Sequence, residues 1–415
     1  MKHPRVLIAA AITAAVLGAT GCGSVTGNAR TARVDPSGNG ILTVGLLLDG
    51  SGAQDFINSS ERAAAKLAIK QINATGGLKG KPVVLLPDQP GTDTAAQART
   101  LADSGADVVI GPTDSANAKA AIDVLSRAKV AVISPANTAA ALSNVNSGGY
   151  YFRTQAPDIL QAPVLARLAA GVGKRVAVLH EAGSYGTEMG DAVTAALKAA
   201  GAGISANEEV TASAPADAVG KVKAAGADAV IVLARDGGQA ILAELANAGI
   251  PGSKLVLSDG VTGSYGTSLA AEALKGARGI LPGVFPTAAF QAQLLTVSPS
   301  LKDMTFAPET YDAVILAALA ATAAEDDAGA SIASHLIAVS GAPAAGGQPD
   351  VPCSGYPDCS ALLKEKKGID YEGLSGPVNF DANGDITTGN YVVYTYGPDN
   401  VPVVTGTDKA TKPSS

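Results

Sequence analysis

The chain alternates continuous apolar runs with helix-patterned segments, and this alternation restricts the folds open to it. Ile41–Leu48 (ILTVGLLL) is an unbroken apolar run, which is typical of a strand covered on both faces. A segment with Ala64, Leu67 and Ile72 on one helical face follows it. The same order continues to residue 134 and starts again at residue 175. It predicts an α/β fold with parallel sheets and helices on both faces.

A weak internal repeat favours two similar lobes. Gly105–Gly111 (GADVVIG) resembles Gly226–Val232 (GADAVIV), and Lys129–Ile133 resembles Arg175–Leu179. Each piece is a helix end, a tight turn and a buried strand, so the repeat can also be generic. The 415 residues, 47% of them hydrophobic, are enough for two lobes with separate cores.

The N-terminus has the features of an export signal. Lys2 and Arg5 flank the start of an apolar run, Val6–Leu17, that is shorter than the roughly 20 residues a membrane-spanning helix needs. Small residues then precede Cys22, as in a bacterial lipobox, although Ala19 stands where that motif prefers Leu. We expect cleavage before Cys22 and lipidation of its thiol. The alternative is an ordinary signal peptide followed by a chance cysteine.

Export would place the mature chain on the extracytoplasmic face of the cell membrane, held there by the lipid. We expect residues 22–40 to be the lipidated cysteine followed by a flexible tether. The residues after Cys22 are rich in Gly, Ser, Asn and Arg and have no periodicity, which predicts the tether. Cys353 and Cys359 would lie in an oxidising compartment, so we expect a local disulfide. The five residues between them do not match the two-residue spacing of a redox motif.

Composition argues against several classes of function. The net charge of −7 is unfavourable for nucleic-acid binding, which selects basic surfaces. Three His and three Cys leave few candidate metal ligands, so we expect neither a metal nor another cofactor. No Ser occupies a G-x-S-x-G elbow, and no Cys–His pair is plausible once Cys22 is lipidated. The sequence therefore predicts a protein that is not an enzyme.

Polar residues follow four of the predicted strands, where ligands of open parallel sheets bind. These strand exits are Gly111–Asn117, Ser134–Thr138, Glu181–Thr187 and Ser258–Thr262. Two of them lead into helices, whose N-termini attract anions. Ser115 and Thr138 add hydroxyl donors, and Asp259 adds a negative charge. This combination suits a zwitterion such as an α-amino acid, although the same residue types also serve as caps and turn formers.

Short motifs in a characteristic order carry a family resemblance. They are Ala74–Gly80, Val109–Gly111, Ile133–Thr138, Phe152–Thr154, Ser184–Gly186, Tyr311–Ala313 and Gly376–Asp381. Together they resemble the type I solute-binding proteins of bacterial ABC transporters, in particular the Leu/Ile/Val-binding branch. The resemblance implies two Rossmann-like lobes with parallel sheets, joined by a three-crossing hinge, with the ligand between them.

The resemblance also divides the chain into segments. They are a signal peptide (1–21), the lipidated Cys and tether (22–40), lobe 1 (41–157 plus 286–389), lobe 2 (158–285 plus 390–408) and a tail (409–415). By position, Ser115, Thr138 and the main chain at Ala136 would bind the ligand carboxylate. Tyr185 and Asp259 would come from lobe 2, with Asp259 holding the ammonium group.

Two positions depart from the family pattern. Asp259 stands where the family usually has Glu, which is longer but carries the same charge. Arg235 stands where the family often has an aromatic residue. Arg235 can either line the cleft, shifting selectivity toward an acidic or amide ligand, or point into solvent.

The function implied by the resemblance is capture of an amino acid, first of all a branched-chain one, for an ABC permease and its ATPase. We expect the protein to act as a monomer. Three alternatives remain open at this point: a binder of amides, urea or another amino acid; a ligand sensor for a membrane signalling partner; and an exported enzyme on the same scaffold. The last is disfavoured by the lack of a catalytic constellation.

Overall fold

The computed structural model describes residues 27–48, 50, 55–341 and 350–412, so the predicted signal peptide and Cys22 lie outside the described residues. The strands are β1 (Thr43–Leu46), β2 (Val84–Leu85), β3 (Val108–Ile110), β4 (Ala131–Ser134), β5 (Tyr151–Arg153), β6 (Arg175–Glu181), β7 (Gly203–Val210), β8 (Ala229–Leu233), β9 (Leu255–Leu257), β10 (Arg278–Pro282), β11 (Val351–Cys353), β12 (Ile369–Gly373), β13 (Gly376–Pro377), β14 (Thr388–Tyr396) and β15 (Pro402–Thr411). The helices are α1 (Asp55–Ala74), α2 (Thr94–Asp103), α3 (Ser115–Arg127), α4 (Gln161–Ala170), α5 (Ser184–Ala199), α6 (Ala216–Ala224), α7 (Gly238–Asn247), α8 (Ala288–Val297), α9 (Ala307–Ala324), α10 (Gly329–Val339) and α11 (Gly355–Lys364).

Lobe 1 is built on a five-stranded parallel sheet in the order β2-β1-β3-β4-β5. Its strands are short and buried on both faces, as their continuous apolar runs predict. Helices α1, α9 and α10 cover one face, and α2 and α3 cover the other. Helix α9 is buried over most of its length because it lies between α1, α10 and the sheet.

Lobe 2 is built on a seven-stranded sheet in the order β15-β14-β10-β9-β8-β6-β7. The five strands from β6 to β10 run parallel, and β14 and β15 add an antiparallel edge. Helices α4 and α5 pack on one face, and α6 and α7 pack on the other. The structure therefore confirms the predicted α/β fold with two parallel-sheet lobes.

The chain crosses between the lobes at three places. The first crossing lies between β5 and α4, the second between β10 and α8, and the third between β13 and β14. The second and third are hydrogen-bonded to each other, because the Gly283 N–H donates to the Asn390 carbonyl at 2.8 Å. Thr154 on the first crossing donates to the Glu309 carbonyl at 2.9 Å. The first of these bonds ties the second crossing to the third, and the other ties the first crossing to helix α9 of lobe 1.

A small third sheet, β11-β12-β13, is attached to lobe 1; Cys353 lies in its strand β11, and Cys359 lies in the adjoining helix α11. Cys353 and Cys359 form the predicted disulfide, with their Cα atoms 5.3 Å apart. Gly355–Lys364 lies in a stretch rich in Gly and Pro but is helical, and it contains Cys359. Pro357 obscured that helix. It is the third helical residue, in the first turn, where a missing N–H costs no helical bond.

The predicted flexible tether is wrong for its described part, residues 27–40. Four successive N–H groups, from Ser37 to Gly40, donate to the buried carboxylates of Asp326 and Asp327 over 2.8–3.2 Å. Arg30 donates to the Tyr151 carbonyl and lies 4.9 Å from the ring centroid of Phe152. The segment is therefore held on lobe 1. The polar composition of the segment suggested flexibility, because the carboxylates that hold it are 287 to 289 residues away in the sequence.

The predicted tail is also partly wrong. Residues 409–411 belong to β15 and pair with residues 388–390 of β14, whereas residues 413–415 lie outside the described residues. Within the described ranges, no helix combines the length and the hydropathy that a bilayer crossing requires.

Candidate functional site

The exits of the parallel strands of both lobes meet in the cleft between the lobes. Ser115 begins α3 after the β3 exit, and Thr138 lies in the β4 exit. Tyr185 lies in the first turn of α5, and Asp259 follows β9. Hydrogen bonds and ring contacts run from Ser115 through Thr138, Arg235 and Tyr185 to Asp259. The residues predicted from separate strand exits therefore form one cluster.

The lobe 1 side of this cluster is a loop whose main chain is held by hydroxyl groups. The Ser134 hydroxyl accepts the N–H groups of Ala136 (3.3 Å) and Asn137 (3.0 Å) and donates to the Pro112 carbonyl (2.8 Å). The Ser115 hydroxyl accepts the Thr138 N–H at 3.2 Å. The Ala136 N–H, a predicted carboxylate donor, thus already has a partner. Ser115 and Thr138 contribute hydroxyl groups to this side, and that of Thr138 is also hydrogen-bonded to Asp158 and Arg235.

The lobe 2 side presents a carboxylate and a phenol. The Tyr185 hydroxyl donates to Asp259 Oδ1 at 2.9 Å and lies 3.0 Å from Ser258 Oγ. Burial and the neighbouring Asp259 raise the pKa of Tyr185 well above its ordinary value, so the phenol keeps its proton. The side chain of Gln161 holds the main chain of Asp259, because the Asp259 N–H donates to Gln161 Oε1 at 3.3 Å. This arrangement fixes one negative charge at the cleft.

Arg235 turns toward the residues between the lobes, although its side chain stays partly exposed to solvent. Its Nη2 donates to Thr138 Oγ1 at 3.2 Å and to Asp158 Oδ2 at 3.0 Å. Its guanidinium carbon lies 4.0 Å from the Tyr185 ring centroid, a cation–π distance. The Glu181 carboxylate fixes the loop that carries Arg235 by accepting N–H groups of Arg235 and Gly237, both at 2.7 Å.

Sequence reasoning missed Asp158 and Gln161. Asp158 is only 2% exposed, binds Arg235, and accepts the Gln161 amide at 3.1 Å. Burial and the charge of Asp259 raise the pKa of Asp158 to about 7, in spite of the opposing charge of Arg235. No local pattern marks these two residues, because they lie where the chain enters lobe 2 and gain their role from the approach of Arg235 and Asp259.

The cluster combines hydrogen-bonding and charged side chains from both lobes. Hydroxyl donors lie on lobe 1, and a carboxylate, a phenol and a guanidinium lie on lobe 2. Among the described residues, no group of three or more His, Cys, Asp or Glu side chains is placed to hold a metal ion. The site can hydrogen-bond a small molecule that carries both an anionic and a cationic group.

A family model described as periplasmic binding protein matches residues 41–400, nearly all of the chain that forms the two lobes. The chain belongs to the periplasmic binding protein family. The Leu/Ile/Val-binding protein BraC3 of Rhizobium johnstonii is 31% identical over 181 residues, which cover 42% of this chain and 49% of that protein. The Leu/Ile/Val-binding protein homolog 3 of Brucella melitensis is 32% identical over 204 residues, which cover 46% and 53%. The chain thus spans about half the length of these relatives.

Solved structures share the fold of this periplasmic binding protein over most of its length. The branched-chain amino acid transporter substrate-binding protein LivJ of Streptococcus pneumoniae, in complex with isoleucine, has a TM-score of 0.63 at 21% identity and covers 89% of this chain and 99% of its own. A solute-binding protein of an ABC transporter from Rhodopseudomonas palustris, in complex with p-hydroxybenzoic acid, has a TM-score of 0.65 at 17% identity and covers 89% and 98%. Both are named as transport or solute-binding proteins.

A cavity of this periplasmic binding protein lies beside the hinge, apart from the residue cluster described above. It has a volume of about 480 Å³, and its walls come from the end of β10, from β14 and from residues 302–306 of the other lobe. None of the six predicted ligand-binding residues lines it. Glu309 lines it, is 2% exposed, and has no hydrogen-bond partner for its Oε1. Burial, with a smaller contribution from the charge of Asp312, raises the pKa of Glu309 to about 8.

Glu309 should make the stability of the folded protein depend on pH. Its carboxyl is protonated in both folded and unfolded chains below its ordinary pKa. Above that pH the unfolded chain ionises first, so the unfolding free energy falls until the pH passes the folded pKa of about 8. Between pH 5 and pH 8, we expect urea unfolding to show that the unfolding free energy of the wild type falls by about 3 kcal/mol more than that of Glu309→Gln. The exposed Glu372→Gln should behave like the wild type, and equal slopes for all three proteins would contradict the prediction.

Proposed function

We propose that this protein captures an α-amino acid between its two lobes and presents it to an ABC permease with its ATPase. The observation that carries the proposal is the pairing of opposite chemistries across the cleft. Lobe 1 offers the Ser115 and Thr138 hydroxyls, whereas lobe 2 offers the Asp259 carboxylate beside the Tyr185 hydroxyl. An α-amino acid has a carboxylate for the first side and an ammonium group for the second.

The ligand is proposed to lie with its carboxylate at Ser115 and Thr138 and its ammonium at Asp259. A charge-assisted hydrogen bond between ammonium and carboxylate is about twice as strong as a neutral one. Because the two groups contact different lobes, the closed form gains contacts that the open form lacks. Ligand binding would therefore select closure about the hinge.

Branched-chain amino acids are the first ligands to test. The Rhizobium and Brucella relatives are named for leucine, isoleucine and valine. A Pseudomonas aeruginosa relative, 29% identical over 235 residues, is named for leucine, isoleucine, valine, threonine and alanine. The amino acids in those names share an α-ammonium and an α-carboxylate group and differ in the side chain. This supports a site organised around the two charged groups on the α-carbon.

The place of action is proposed to be the extracytoplasmic face of the membrane. The lipobox-like sequence before Cys22 supports a lipid anchor, which would keep the protein close to its permease and raise its effective concentration there. We propose lobe boundaries near residues 157, 285 and 389, at the three crossings, and action as a monomer. Binding and delivery require no catalytic step by this chain.

Calorimetry on residues 23–415, unfolded and refolded to remove retained ligand, tests the ligand assignment. All proteinogenic amino acids would be titrated, with urea and short amides beside them. Micromolar binding of leucine, isoleucine or valine is the expected result, equivalent to about −8 kcal/mol. Binding of urea or amides with no binding of any amino acid would contradict the proposal.

Lipidation has its own test. We expect Cys22→Ser, expressed with its signal sequence, to leave the membrane fraction for the soluble exported fraction, because one thiol would carry the anchor. Fractionation and immunoblotting measure the change, and Cys353→Ser serves as the matched control that stays with the membrane. Membrane retention of Cys22→Ser would show that the protein has no lipid anchor at this residue.

A further inference from the structure

Arg235 brings a full positive charge to the hydroxyl that is proposed to bind the ligand carboxylate. Its Nη2 lies 3.2 Å from Thr138 Oγ1, although the two residues belong to different lobes. The side chain is 36% exposed, so it borders the open part of the cleft. Asp158, Tyr185 and the Glu181-bound main chain hold it in this position.

The remaining donors for a carboxylate on the lobe 1 side are neutral. Ser115 and Thr138 offer hydroxyls, and the Ala136 N–H is already bound to Ser134. A guanidinium forms stronger, charge-assisted bonds to carboxylates and presents five N–H groups in a fork. The hydrogen bonds from Arg235 to Asp158 and Thr138 both use Nη2, so the fork also carries donors on Nη1 and Nε. Arg235 is thus the cation best placed for an anionic ligand group.

The position of Arg235 decides which ligand group it meets. A carboxylate bound to the Thr138 hydroxyl would lie next to the guanidinium that already contacts that hydroxyl. The ammonium would lie at Asp259, whose carboxylate accepts the hydroxyl of Tyr185, and the Tyr185 ring packs against the guanidinium. The geometry thus gives the ligand's α-carboxylate a cation and its ammonium an anion.

We propose that Arg235 is a further ligand-binding residue, which pairs with the α-carboxylate and makes lobe closure depend on it. This inference rests on the proposed function and adds the group that Arg235 binds. The carboxylate contacts Thr138 on lobe 1 and Arg235 on lobe 2, so one ligand group links both lobes. A ligand that lacks the carboxylate loses this link even where its ammonium still reaches Asp259.

The experiment compares wild type and Arg235→Gln by calorimetry with L-leucine, L-glutamate and 3-methylbutylamine, which is leucine without its carboxylate. We expect Arg235→Gln to weaken L-leucine binding by about 30-fold or more and to leave the weak amine binding unchanged. Arg167→Gln is the matched control, because it removes the same charge from an exposed lobe 2 arginine paired with Asp408. The control should bind L-leucine like the wild type.

Small-angle X-ray scattering supplies a second measurement on the same proteins. Saturating L-leucine should reduce the radius of gyration of the wild type and of Arg167→Gln, whereas Arg235→Gln should close less at equal saturation. Thermal melts establish that each variant is folded before it is measured.

Three results would overturn the inference in distinguishable ways. Equal L-leucine affinity and equal closure in wild type and Arg235→Gln would show that Arg235 binds no ligand group. Wild-type preference for L-glutamate over L-leucine, lost in Arg235→Gln, would assign Arg235 to the ligand side chain instead. Failure of the wild type to bind any proteinogenic amino acid would overturn the proposed function itself, and this inference with it.

Discussion

Asp259→Asn should abolish measurable amino-acid binding while leaving the fold intact. The substitution removes the negative charge proposed to hold the ligand's ammonium, and truncating one member of a close charge pair costs about 2–5 kcal/mol. Affinity should therefore fall by about 100-fold or more. The Asn side-chain oxygen can still accept the Tyr185 hydroxyl, which contacts Asp259 at 2.9 Å, so the local structure has no reason to change.

Calorimetry measures this loss, and two variants sharpen it. Asp236→Asn removes the same charge from an exposed position on the Arg235 loop and should bind L-leucine normally. Asp259→Glu keeps the charge and has the residue that the family usually carries, so its affinity should stay within about tenfold of the wild type. Unchanged binding by Asp259→Asn would mean that the ammonium lies elsewhere and that the proposed placement of the ligand is wrong.

Arg153→Met should destabilise the protein more than any surface substitution. Arg153 and Asp385 form a salt bridge at 2.6 Å, with side chains 0% and 1% exposed. Removing one partner leaves an uncompensated buried charge, which costs about 3–5 kcal/mol. Arg153 also donates to the carbonyls of Asn137 and Ala139, on either side of Thr138, so the binding loop would lose support as well.

Urea unfolding followed by circular dichroism measures the effect. The double variant Arg153→Met/Asp385→Asn should recover part of the lost stability, because it removes the uncompensated carboxylate. Arg62→Met breaks a partly exposed ion pair with Asp88 at 2.6 Å and should cost less than about 1 kcal/mol. A loss below about 1 kcal/mol for Arg153→Met would show that the buried pair contributes little to the fold.

Elements whose signals are local were predictable from the sequence. Helix α3 (Ser115–Arg127) and strand β9 (Leu255–Leu257) are of this kind. A continuous apolar run needs two covering layers wherever it lies, and the apolar face of a helix repeats within the helix. The disulfide was predictable for the same reason, since its two cysteines are close in sequence.

Elements stabilised by distant partners were not predictable. Strand β7 (Gly203–Val210) contains several polar residues and is mostly not buried, and it is a strand because it pairs with β6 at the edge of the sheet. The segment at 27–40 has a flexible composition, but Asp326 and Asp327 bind its main chain. In each case the stabilising hydrogen bonds join parts of the chain that no sequence window contains.

The sequence alone determined the α/β architecture, the strand exits that supply the site, and the presence of hydroxyls and a carboxylate at those exits. Only the tertiary structure decided that Arg235 turns into the cleft, that Asp158 and Gln161 hold it there, and that Arg153 supports the binding loop from below the surface. Periodicity records which side of an element is buried. The direction of a loop side chain depends on charges from distant parts of the sequence, as with Asp158 at 3.0 Å from Arg235, and these become neighbours only when the chain has folded.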